Sequence, residues 1–177
     1  MKASVYQKAA LLFGLIAGMV FIIFNFTSWK LGVRTYANTL AIEKFIPYIF
    51  LLFLLGGIRL RKNNNDTIRF ADALKFAFLA YIVFSLIEAI ANYFLYNIID
   101  KGLTSSLFEV TKEQSVQFMK RLGSTKEQID ETLKNAEATK NETGFRTIFL
   151  GLGLSIIWSF GKSIVLAMII KKEKTNN

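Results

Sequence analysis

Cysteine and histidine are both missing from this chain, and proline occurs once. Without thiols there is no disulfide and no cysteine nucleophile, and without either residue there is no zinc site of the Cys/His kind. Imidazole acid–base catalysis is excluded for the same reason. Charge is also scarce: 20% of the 177 residues are charged against 53% hydrophobic, including 17 Phe. An ordinary globular chain carries about 25% charged residues along its whole length. Here they gather in blocks between long uncharged runs. The net charge of +9 would suit a nucleic acid or an anionic surface. Because the excess sits beside the apolar runs, it points to lipid and not to nucleic acid.

A helix needs about 20 apolar residues to cross a hydrocarbon core of about 30 Å, and in lipid its backbone groups must be paired internally. Between Lys8 and Lys30 lie 21 uncharged residues, which predicts a first span over 9–29. It is too long for a signal-peptide core and lacks a small-residue cleavage pattern, so it is expected to stay attached. The run Phe45 to Ile58 has 14 uncharged residues. It becomes a span over about 43–60 if Lys44, Arg59 and Arg61 snorkel and the helix begins before Glu43. Pro47 then falls in its first turns, where a missing N–H is tolerated, and Trp29 and Tyr36 lie near the interface. Phe76 to Ile99 is 24 residues interrupted by Glu88, and Thr147 to Ile170 is 24 interrupted by Lys162. These predict spans over 74–99 and 147–170.

Basic residues near a span tend to stay cytoplasmic. The N-terminus, the loop between spans two and three and the C-terminus share one side in a four-span chain. Together they hold ten basic residues (Lys2, Lys8, Arg59, Arg61, Lys62, Arg69, Lys75, Lys171, Lys172, Lys174) against Asp66, Asp72 and Glu173. The opposite side has Lys30, Arg34 and Lys44, plus a long loop with eight basic and eight acidic residues. Both termini are therefore expected to be cytoplasmic. Asn63 to Thr67 reads as a polar turn. Ile68, Ala71 and Leu74 at helical spacing suggest a surface helix leading into the third span. Tyr81, Tyr93 and Tyr96 suit an interface, although Tyr81 suits packing between helices equally well.

Residues 100–146 form the one long hydrophilic stretch, expected outside the cytoplasm. Thr111 with Gln114 and Ser124 with Glu127 have capping-box spacing, and apolar residues follow at helical steps. Gly123 can close the first helix. The pattern predicts a hairpin of Lys112–Leu122 and Thr125–Thr139, read either as a lid or docking element or as a solvated hairpin resting on the spans. Asn141-Glu142-Thr143 matches a glycosylation acceptor, a short pattern that arises by chance.

Ala10, Gly14 and Gly18 repeat at four-residue steps, as do Gly151, Ser155, Ser159 and Ser163. Such small-residue faces suit close helix packing, within one bundle or in a homodimer. Glu88 and Lys162 are the charges deep in apolar runs, each costing about 2.5–3.5 kcal/mol at a helix centre on insertion scales. Counted from Lys75 and Lys171, their backbones differ in depth by about 6 Å, and their side chains lean toward each other. An intramembrane Glu88–Lys162 ion pair is expected, with hydrogen bonds from Asn92 and from Ser159 or Ser163. No catalytic residue, metal ligand or cofactor is indicated.

The stretches AALLFGLIAGMVFIIF, TIRFADALKFAFLAYIVFSLIEAIANYFLYNIID and MKRLGSTKEQIDETL, with a last span ending IIKKEK, resemble a bacterial membrane-protein family known as domain-of-unknown-function family 4199. The resemblance covers nearly the whole chain and rests on pattern and order. It implies a four-span inner-membrane protein without an established activity, and it supplies no site residues. Asp66, Thr67 and Ile68 stand where the family usually has glycine-rich residues.

The expectation is an all-α, multi-pass membrane protein of one domain, residues 1–177. It would be a four-helix bundle in the bacterial inner membrane with an extramembrane hairpin. Its partners would be the lipid bilayer and either a second copy or a membrane complex. A structural or accessory role leads. A small dimeric transporter-like protein using Glu88 follows, although Lys162 counts against a free coupling carboxylate. An enzyme comes last, because only isolated serines and one deep carboxylate are available.

Overall fold

A computed structural model of the chain describes residues 3–45, 47–138 and 145–173. Lys2, Thr139, the Asn141-Glu142-Thr143 triplet and Lys174 lie outside the described residues. The architecture is all-α: α1 (Ala3–Lys30), α2 (Val33–Phe45), α3 (Tyr48–Asn63), α4 (Phe70–Phe94), α5 (Leu103–Arg121), α6 (Lys126–Ala138) and α7 (Phe145–Ile170). The end of α4 widens into a π-helical turn, Leu95–Ile99. Among the described residues three helices are long and apolar enough to cross a membrane: α1, α4 with its π turn, and α7. The pair α2 and α3, bent by 49°, passes the same test only jointly, giving up to four crossings.

The second predicted span is therefore not one straight helix. Pro47 precedes the first residue of α3. Its ring removes a backbone donor and disfavours helical geometry in the residue before it. The predicted span over 43–60 is thereby divided between the last turn of α2 and α3.

α1 and α4 run parallel. Phe13 meets Phe76 and Phe21 meets Phe84 edge-on, with centroids 6.0 and 5.8 Å apart. Parallel contact this close requires glycine on α1. A Cβ at Gly14 would come within 2.7 Å of Val83 and one at Gly18 within 2.6 Å of Ile87. With Ala10 fully buried, this small-residue stripe is an internal seam. α7 runs antiparallel to α4: Phe78 packs on Phe160 at 5.3 Å, Ser85 Oγ meets Ser155 Oγ at 3.3 Å, and Ile68 pairs its backbone with Lys172. α3 fills the angle between α1, α4 and α7, with Phe53 edge-on to Tyr81 at 4.7 Å. At the other end, Tyr36, Leu95 and Leu103 form a second small core that joins α2, α4 and α5.

The hydrophilic stretch is helical, with different boundaries from those expected. α5 begins at Leu103, because that residue is buried in the second core. Thr111 is consequently inside the helix, where its hydroxyl bonds the Leu107 carbonyl at 2.6 Å instead of capping. The second capping box exists one residue later than expected. Thr125 N donates to Gln128 Oε1 at 2.9 Å, and Gln128 N donates to Thr125 Oγ1 at 3.3 Å. Gly123 closes α5 with φ +78°, a conformation that favours glycine. The hairpin rests on α2 through Arg34–Glu113 at 2.5 Å and Gln114–Asn38 at 2.8 Å. Ile68, expected in a surface helix, is instead extended and paired with Lys172, and α4 starts at Phe70.

Candidate functional site

Glu88 and Lys162 do not form the expected ion pair. Five salt bridges join described residues, and none includes either side chain. The reason is register. With Ser85 opposite Ser155 and Ile68 opposite Lys172, the residue of α7 level with Glu88 is close to Leu152. Lys162 is ten residues further along α7, about 15 Å along the axis. Counting depth from Lys75 placed the two closer, because α4 begins five residues before that lysine. The side chains lean toward each other but do not span the gap.

Both nevertheless face one void. A cavity of about 670 Å³ is walled by Glu43 and Pro47 where α2 ends, Tyr48 and Phe50 of α3, Tyr81 and Glu88 of α4, and Ser155, Ser159 and Lys162 of α7. A second cavity of about 460 Å³ shares Ser85, Glu88 and Ser155 with the first. It continues past Asn92 and Tyr96 to Thr104 and Leu107 at the start of α5. Glu88 thus stands at the junction of two voids. Of the polar residues expected to support it, Asn92 lines the second cavity and Ser159 the first. Ser163 turns away, its hydroxyl donating to the Ser159 carbonyl at 2.6 Å.

In the sequence Glu43 stands only as a charge at the edge of the second predicted span. Folding brings it to the wall of the cavity, because the break at Pro47 separates α2 from α3 and leaves Glu43 in the last turn of α2. Its Oε1 accepts from Asn25 Nδ2 at 3.2 Å and from Tyr48 OH at 3.3 Å. Among the described residues no salt bridge reaches Glu43. Electrostatically, Glu88 feels repulsion from Glu43 and attraction to Lys162, on top of its desolvation. Among the described residues two buried polar atoms lack hydrogen-bond partners, the Tyr81 hydroxyl and Asn25 Oδ1. Buried polar atoms usually find one, and Tyr81, 3% exposed, lines the same cavity. The one sequence signal for this arrangement is a lone proline within an apolar run, four residues after an acid.

The family model of the proteins of unknown function DUF4199 matches residues 8–172. The chain belongs to this family. No curated protein and no solved structure matches it. The DUF4199 assignment carries no activity with it, so any chemistry must be argued from the residues around Glu88. These offer two carboxylates, one ammonium and several hydroxyls along an apolar, aromatic-walled void. Such a set can bind and orient a charged solute.

Proposed function

We propose that this DUF4199 protein is a four-crossing protein of the bacterial inner membrane, with both termini cytoplasmic, acting as an accessory subunit of a membrane complex and not as an enzyme. The parallel course of α1 and α4 supports the fourth crossing: chain that leaves one end of α1 must return before α4 begins. α2 and α3 together are the segment available to make that return. The excess of lysine and arginine beside the ends of α1, α3, α4 and α7 supports the orientation.

The observation that carries the accessory role is the open side of α7. This helix packs on α4 and α3, while Leu154, Ile157, Trp158 and Phe160 are exposed. Between them a Cβ at Gly153 or Gly161 would meet nothing within 4 Å. Glycine weakens a helix unless a neighbour approaches it closely, so a second transmembrane helix is the natural occupant. The test is affinity purification from native membranes of wild type and of Gly153→Leu/Gly161→Leu. A fixed partner or second copy is expected with wild type and lost with the variant, while both fold alike. Recovery of the same lone monomer in both cases would remove the reading. Reporter fusions at Lys172 and at α6 are expected on opposite faces of the membrane.

The double cavity favours a second reading, in which the protein takes up a solute around Glu88. Ionisable side chains in a membrane interior are functional candidates by default, and here two acids face a void where a pair was expected.

A further inference from the structure

We infer that the double cavity binds an organic ammonium, a monovalent amine or quaternary ammonium with an apolar body, seated between Glu43 and Glu88. The inference rests on the second reading above, that the cavity receives a solute, and adds the ligand's chemistry.

Charge comes first. Glu43 and Glu88 belong to different elements, face the same void and repel each other. Among the described residues neither has an ion-pair partner. A cation placed between them would offset both the repulsion and the cost of keeping carboxylates away from water.

Tyr81 lines the cavity with atoms other than its hydroxyl, whose oxygen is buried out of a solute's reach.

Size and walls then select among cations. Voids of about 670 and 460 Å³ fall in the range of about 300–1,000 Å³ usual for organic ligands. A bare metal ion needs a tight shell of oxygens, and no cluster of three acidic side chains exists among the described residues. The walls include Phe21, Phe50, Phe84 and Tyr48, the aromatic faces that attract ammonium groups. Lys162 lines the same void and its charge is felt at Glu88, which disfavours a second positive charge on the ligand. A ligand charged at one end only is therefore preferred.

The experiment uses the full chain in lipid nanodiscs and benzyltrimethylammonium as the probe, with neutral neopentylbenzene as its isostere. Calorimetry is expected to show saturable binding of the cation, weakened about tenfold or more in Glu88→Gln and in Glu43→Gln. Equal binding of the neutral isostere, or unchanged binding in the double variant, would overturn the inference. So would full displacement of the probe by sodium chloride at concentrations that leave ionic screening unchanged, which would make this an inorganic-cation site. Should the variants fail to fold, dicyclohexylcarbodiimide labelling of wild-type Glu88, read by mass spectrometry, replaces them. Protection by benzyltrimethylammonium is expected. Labelling without protection would reject the ammonium while leaving the solute reading standing, whereas a Glu88 that no carbodiimide reaches would reject both.

Discussion

Trp29, at the last turn of α1, donates its indole N–H to Asp100 Oδ2 at 2.9 Å, just beyond the π turn that ends α4. Residues 71 positions apart thereby hold two parallel helices level at one end. Trp29→Phe keeps the ring beside Phe26 and removes the donor. A hydrogen bond to a charged group is worth about 1.5–3 kcal/mol, and partial exposure lowers that here. Equilibrium unfolding in detergent is expected to show a loss of about 1–2 kcal/mol. Asp100→Asn retains an acceptor and is expected to lose less. If both variants match wild type, the indole does not set this level.

The glycines of α1 and α7 are expected to respond oppositely to the same substitution. Gly14→Ala places a methyl 2.7 Å from Val83 Cβ and 2.9 Å from the Ala80 carbonyl, atoms fixed by the α4 backbone. Overpacking costs about 1–3 kcal/mol, more than the gain of about 1 kcal/mol in helix propensity. Gly153→Ala meets nothing within 4 Å, so in the isolated chain it is expected to be neutral or slightly stabilising. Thermal unfolding of the two variants side by side checks the sign. A harmless Gly14→Ala would mean that α1 and α4 are not packed this closely.

The long apolar runs were legible because lipid allows few solutions, so α1, α4 and α7 follow closely from uncharged stretches and their flanking lysines and arginines. The helical seam of α1 was legible as well, from Ala10, Gly14 and Gly18. What sequence could not supply was register between helices. Nothing local says that Ser85 faces Ser155, and the depth of Lys162 relative to Glu88 depends on that pairing. The site suffered most, since Glu43 enters it only through the break at Pro47. α5 began early for a related reason: Leu103 is held by a distant core, which no local capping pattern encodes.

The backbones of Glu88 and Lys162 are offset by about 15 Å along the axis and their charges attract only across the shared void, so their substitutions should be weakly coupled. Residues more than about 7–10 Å apart without shared partners usually add within about 0.5 kcal/mol. With the attraction across the void added, Glu88→Gln, Lys162→Gln and the double variant are expected to close a cycle with a coupling of about 1 kcal/mol at most. A coupling of several kcal/mol, as for a buried pair losing one member, would show that the two side chains meet after all.

At the loop between α3 and α4 the relevant group is Asp66, which bonds Lys172 after α7 and Arg61 Nε at 3.1 Å. Its neighbour Ile68 pairs backbone to backbone with Lys172, so this carboxylate clamps the ends of α3 and α7 to the start of α4. The Lys172 hydrogen bond, followed by the charges of Lys172 and Arg61, holds the Asp66 carboxyl below its ordinary 3.8. A group whose folded value is depressed stabilises the fold fully above its unfolded value and loses that contribution as pH falls through the folded one. The clamp is thus intact above about pH 4 and weakens as acidification continues below 3.8. Because the site is exposed and screened by salt, the effect should be largest at low ionic strength. Hydrogen exchange at Ile68 and Lys172, both donors in the backbone pair at 2.9 and 3.0 Å, reports it directly. Protection in wild type is expected to fall across that acid range. Asp66→Asn should exchange faster already at neutral pH, with little further change on acidification. If the variant kept wild-type protection at neutral pH, the backbone pair would be holding the C-terminal segment without help from the carboxylate.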